Sequence, residues 1–175
     1  MTLVNRWKKL VLLCVASLII LLVIVTTIKP IQPPQGTPAP NFTLNSLRGE
    51  TLSLSNFKGK VVVIEFMATW CTYCKEEIEH LRELSGGYSI NDVTIMMISV
   101  DPEFDKPETL QQFVEKYAIT WFVARDTANV THAYSVRVLP TLVIIDKNGY
   151  VRSRFEGVTA VSTLSKEIDK LLSEK

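Results

Sequence analysis

Two cysteines, Cys71 and Cys74, stand three residues apart where a largely apolar stretch gives way to an amphipathic one. Upstream, Val61–Met67 is a β-branched apolar run broken only by Glu65, which predicts a central strand. Downstream, residues 72–85 carry Cys74, Ile78 and Leu81 on one stripe, which predicts a helix. The pair therefore falls on that helix's first turn. Free backbone N–H groups and the positive end of the macrodipole stabilise an anion there. A thiolate is such an anion, and it is the reactive form of cysteine. Three residues make nearly one helical turn, so the two sulfurs can close a disulfide. The chemistry on offer is a dithiol switch.

Two acids flank the pair. Glu65 is the only charge in its strand. A buried carboxylate without a partner has a raised pKa, which suits a proton acceptor for Cys74. The competing account is a less buried strand with Glu65 paired to a lysine. Glu77 follows Cys74 by one turn; a surface glutamate is the ordinary account of such a residue. If close to the thiols, Glu77 would raise their pKa and oppose the helix dipole. His80 and His132 are the candidates for a third ligand, should the two thiols hold a soft metal. His80 lies nine residues from Cys71, about half a turn round the helix, and a zinc site would want further ligands at close spacing. The expectation is no metal and no cofactor. Met96 and Met97 point to opposite faces of a strand and read as core, as do Trp121 and Phe122.

The elements around the switch follow from pattern. The chain has 175 residues and a formal net charge of +1, with the charges mixed. No basic patch stands out, so nucleic acid is not an expected partner. Residues 10–28 form an apolar run close to the roughly 20 residues that cross a bilayer. Arg6, Lys8 and Lys9 precede it, which predicts residues 1–9 in the cytoplasm and the rest outside. A cleaved signal peptide is the competing reading, but no small-x-small exit is present. Prolines 30, 33, 34 and 38 mark residues 29–38 as an extended spacer. The folded domain is expected over residues 39–175. Within it, residues 41–45 and 50–55 alternate as a hairpin. Residues 93–100 predict a second strand, residues 107–117 a helix opened by Pro107, and residues 120–123 a short extended piece. Residues 127–134 predict a helical turn or two. Thr141–Ile145 and residues 150–155 predict a second hairpin, and residues 161–172 an amphipathic helix. Gly86-Gly87 is expected to end the helix after the cysteines. This order predicts an α/β sandwich around a mixed sheet.

With Trp70-Cys71-Thr72-Tyr73-Cys74 after one strand and Val138-Leu139-Pro140-Thr141 before a later one, the chain resembles the thioredoxin fold. The tether, the first hairpin and Ala68-Thr69-Trp70-Cys71 resemble the TlpA/ResA type of membrane-anchored thiol–disulfide oxidoreductase. The resemblance implies a thioredoxin-like three-layer sandwich with an N-terminal β-hairpin, preceded by one transmembrane helix. It implies that Cys71 attacks a target disulfide and Cys74 resolves the mixed disulfide. It implies a cis Pro140 that sets the Leu139 backbone against an extended substrate, with Trp70 also at the binding surface. Glu65 takes the place of the buried acid of thioredoxins, and Glu77 that of an acid beside the ResA active site. The implied partners are protein thiols or disulfides and a membrane electron donor, with the domain extracytoplasmic. The implied activity is reduction of specific disulfides, as in cytochrome c maturation. Tyr73 stands where many thioredoxins carry proline, which opens the direction of transfer, so a disulfide oxidase or isomerase is an alternative. A metal-binding module is another. A peroxidase is a third, although Ile64 and Ala68 occupy the proline and hydroxyl positions of the peroxiredoxin pattern Pro-x-x-x-Thr/Ser-x-x-Cys.

Overall fold

Strands Val61–Met67 (β3) and Val93–Ser99 (β4) are buried along their whole length, as their largely apolar sequences favour. They form the centre of a five-stranded sheet. The computed structural model describes Lys8 and residues 12–17 and 36–174. The chain divides into two units, Met1–Ile31 and Gln32–Lys175. In the first, residues 12–17 are helical and exposed, and the rest of the anchor expected over residues 10–28 lies outside the described residues. Among the described residues no helix is long and apolar enough to cross a membrane.

The second unit opens with the hairpin of Thr43–Asn45 (β1) and Thr51–Ser53 (β2), paired antiparallel. A 3-10 turn at Leu54–Phe57 leads into β3. Thr72–Gly87 (α1) returns the chain to β4, which lies parallel to β3. Pro107–Lys116 (α2) then connects to Phe122–Arg125 (β5), parallel to β4. The short Val130–Ala133 (α3) precedes Thr141–Ile145 (β6), antiparallel to β3. Val151–Glu156 (β7) pairs back on β6, and Val161–Ser173 (α4) closes the unit. The strand order is β5-β4-β3-β6-β7.

Strand alternation sorts the core into two layers. Val61, Val63, Met67 and Met97 face the helices, meeting Ile78 and Leu81 of α1, Leu110 of α2 and Leu164 and Ile168 of α4. Val62, Ile64, Phe66 and Met96 face the hairpin and α3, meeting Leu44, Leu52, Val130 and Tyr134. The result is the expected mixed-sheet α/β sandwich.

Three local expectations are corrected. Gly86 and Gly87 are the last two helical residues of α1, and the helix ends at an extended Tyr88. The Tyr88 hydroxyl bonds Ser165 O and Asp169 Oδ1 on α4, so a tertiary contact outweighs the local glycine signal. The strand expected over residues 120–123 starts two residues later, because β4 fixes its register from Phe122. Residues 36–38, expected in the free spacer, lie along β7. Gly36 N–H donates to Val151 O at 2.6 Å, and Val151 N–H donates to Thr37 O at 2.9 Å. They cover a strand edge that would otherwise present unpaired backbone groups.

Candidate active site

Cys71 is the N-cap of α1. Its extended backbone ends the loop from β3, and its Sγ accepts the Cys74 N–H at 3.1 Å. The sulfur thus sits on the free N–H groups of the first turn, where a thiolate is stabilised. Cys71 and Cys74 form a disulfide with Cα atoms 5.3 Å apart. Cys71 is 6% exposed and Cys74 wholly buried, so an incoming sulfur reaches Cys71 first. Trp70 and Tyr73 flank the pair and are both more than half exposed.

The loop carrying Trp70 is held by a clamp that the sequence reading missed. Asp105, fully buried in the loop after β4, accepts the Thr69 N–H at 3.0 Å, the Ser99 hydroxyl at 2.6 Å and the Thr69 hydroxyl. Asp101 accepts the Trp70 Nε1–H at 3.1 Å and the Phe104 N–H at 3.1 Å. The parallel pairing Met67↔Ser99 brings these two strand ends together. Two acids in a loop that follows a buried strand were the available signal, since sites in α/β sheets gather at the carboxyl ends of strands.

Leu139 and Pro140 are placed by the opposite neighbour. The antiparallel pair Phe66↔Thr141 sets the start of β6 beside the end of β3, so residues before Thr141 lie against residues after Met67. The Leu139–Pro140 bond is cis. Pro140 O accepts the Gly157 N–H at 2.8 Å, whereas the backbone N–H and C=O of Leu139 have no partner among the described residues. An open groove of about 550 Å³ runs here, its walls including Trp70, Cys71, Tyr73 and Leu139. An extended peptide fits such a groove by pairing its backbone with the free groups of Leu139.

Glu65 and Glu77 lie buried on the helix side of the sheet. Glu65 is fully buried, and neither carboxyl oxygen has a partner among the described residues. The lysine-paired account of Glu65 is therefore overturned. Burial, and then repulsion from Glu77, hold its pKa well above the usual carboxylate range. Glu77 is also fully buried, which overturns the surface account, because α4 and the turn before it close over α1. Glu77 Oε2 accepts the Thr159 N–H at 2.7 Å and lies 3.7 Å from His80 Nδ1. Burial raises its pKa, while the Thr159 bond and His80 oppose the rise. His80 thus belongs with Glu77, and His132 is exposed on α3. Among the described residues no three His, Cys, Asp or Glu side chains are grouped to hold a metal ion.

A dithiol capping a helix, beside a cis proline at the start of the neighbouring strand, defines a thioredoxin-fold disulfide-exchange protein. A model of the AhpC/TSA family matches residues 35–154. Thiol-disulfide oxidoreductase ResA of Geobacillus kaustophilus is 31% identical over 138 residues, covering 78% of this chain and 77% of that protein. ResA of Halalkalibacterium halodurans is 35% identical over 118 residues, 66% of this chain and 65% of that one. Among solved structures, the thioredoxin-like superfamily protein SPOA0173 matches with a TM-score of 0.73 at 26% identity, covering 79% of this chain and 97% of its own. The chain belongs to the AhpC/TSA family of thioredoxin-like proteins, and it is a thiol–disulfide oxidoreductase of the ResA kind.

Proposed function

We propose that this oxidoreductase is anchored in a membrane, faces the extracytoplasmic side and reduces particular protein disulfides there. The observation that carries the reading is a reachable Cys71 backed by a buried Cys74, at the edge of a peptide-sized groove. Reduced Cys71 attacks a sulfur of the substrate disulfide, and the departing substrate thiolate takes a proton. Cys74 then gives its proton to Glu65, attacks Cys71 and releases the second substrate thiol, leaving the protein disulfide. Glu65 suits this step because its carboxyl sits buried and unpartnered. Trp70 and Leu139 line the groove in which the substrate strand docks, with Pro140 following Leu139 into β6. Glu77 tunes the buried acid from one helical turn below Cys74. A membrane protein returns the pair to the dithiol. The resemblance to the TlpA/ResA type, carried by Ala68-Thr69-Trp70-Cys71, suggests substrates such as the haem-binding cysteines of an apocytochrome c. Peroxide reduction is disfavoured: Ile64 and Ala68, where peroxiredoxins carry proline and a hydroxyl, are both buried and apolar.

The direction of transfer is tested by equilibrating the full-length chain with glutathione and with dithiothreitol. A Cys71–Cys74 potential near thioredoxin's, about −270 mV, is expected for a reductant. A value near about −120 mV would make the protein a disulfide donor and overturn the reducing direction.

A further inference from the structure

The groove beside Cys71 is apolar along most of its wall, formed by side chains such as Trp70, Tyr73, Val136 and Leu139. Of the described side chains that line it, Arg137 alone is charged. Arg137 is exposed and makes no ion pair or hydrogen bond among the described residues. Thr131 lines the same groove, and its hydroxyl is shielded from solvent, with no partner among the described residues.

Both donors stand on a braced segment. Asp126 accepts the Val130 and Thr131 N–H groups at 2.8 and 2.7 Å. Val136 N–H donates to Thr131 O at 3.0 Å, which closes the loop between the two residues. Arg154 donates to Tyr134 O at 2.8 Å, and the Thr141 hydroxyl to Val138 O at 2.7 Å. The segment that presents Arg137 is thus ordered before a substrate arrives, which lowers the cost of binding. A guanidinium fork matches a carboxylate. Arg137 precedes Leu139 by two residues and lines the same groove, so a substrate strand paired with Leu139 passes within side-chain reach of Arg137.

Resting on the reading of this groove as the substrate cleft, we infer that it selects peptides carrying a carboxylate within two residues of the reacting cysteine. Arg137 binds that carboxylate. Arg137 is then a specificity residue that touches substrate, outside the disulfide chemistry itself.

Two cysteinyl peptides, protected as 2-pyridyl disulfides, test this. One carries Glu flanking the cysteine and the other Gln. The reduced Cys71 thiolate attacks the peptide sulfur, and the sulfur–sulfur bond breaks with pyridine-2-thione leaving. Cys74 thiolate then attacks Cys71 Sγ, the peptide thiolate leaves and takes a proton, and the protein ends as the disulfide. Thione release is followed with the full-length chain, and the rate given by the Cys71→Ser chain is subtracted. The Glu peptide should react about three- to tenfold faster than the Gln peptide, with the advantage shrinking as salt is raised. Arg137→Glu should reverse the ranking. An unchanged ranking in Arg137→Glu, or equal wild-type rates on the two peptides, overturns the inference and leaves the oxidoreductase reading intact. A chain that reduces neither peptide refutes the reducing direction, and this inference with it.

Discussion

Glu65 is the residue whose environment most departs from its type. It sits in the central strand with no partner for either oxygen, so its charged form is disfavoured. The folded carboxyl therefore holds its proton to a higher pH than the unfolded one, whose pKa is about 4.3. Between the two values the folded state binds more protons. Glu65's contribution to stability is full below the unfolded value and is lost as pH rises towards the folded one, at about 1.4 kcal/mol per pH unit. Glu65→Gln removes this loss. The variant should melt above the wild type at neutral pH and level with it near pH 4. Resolution of the mixed disulfide by Cys74 should meanwhile slow on the order of a hundredfold, since glutamine takes no proton. Stopped-flow measurement of that step across pH, set beside the melting curves, separates the outcomes. A wild-type rate in Glu65→Gln would end the proton-acceptor role whatever the melting curves show. The acid itself was legible as a lone charge in an apolar run. Glu77 was a candidate from the resemblance, but its burial was not legible, because burial of a helix residue depends on what later elements close over it.

Among the elements, the N-terminus of α1 and the loop after β4 act together. The helix supplies the capped position for Cys71, and the loop holds the preceding residues in place through Asp105 and Asp101. Asp105→Ala strands three donors, Thr69 N–H, Thr69 Oγ–H and Ser99 Oγ–H, in a buried site. The expected cost is about 3 kcal/mol, seen as a lower urea midpoint with an unchanged slope. Loss of the anchorage of Thr69, the residue before Trp70, should lower peptide turnover as well. A midpoint within about 0.5 kcal/mol of the wild type would show that the clamp contributes little. Local periodicity located α1, β3, β4, β6 and α4, since alternation and the 3.6-residue stripe are written in adjacent residues. It misjudged the end of α1, because Tyr88 is fixed by α4 rather than by Gly86-Gly87.

For the whole molecule, the sheet order puts β3 between β4 and β6, so the two strand ends that build the site meet over one central strand. The proposed tether would hold this site near a membrane and on one side of it. Ile90 is 63% exposed and far in sequence from the cysteines, so Ile90→Cys gives a reporter on the domain surface. In intact spheroplasts a membrane-impermeant maleimide should label Ile90→Cys above the wild-type background. Labelling that requires permeabilised cells would place the domain in the cytoplasm and reverse the orientation drawn from Arg6, Lys8 and Lys9.

Residue type and spacing alone determined the dithiol on a helix start, the apolar strand beneath it and the mixed α/β architecture. These depend on repeats of two or 3.6 residues and on chemistry carried by neighbours in the chain. Tertiary structure decided which polar groups meet. Thr69 reaches Asp105 across 36 residues, and Glu77 reaches Thr159 across 82. Arg137 and Thr131 come to the same groove as Cys71 by strand register and helix packing. No local pattern encodes such meetings, because each is set by which strands pair and which elements cover them.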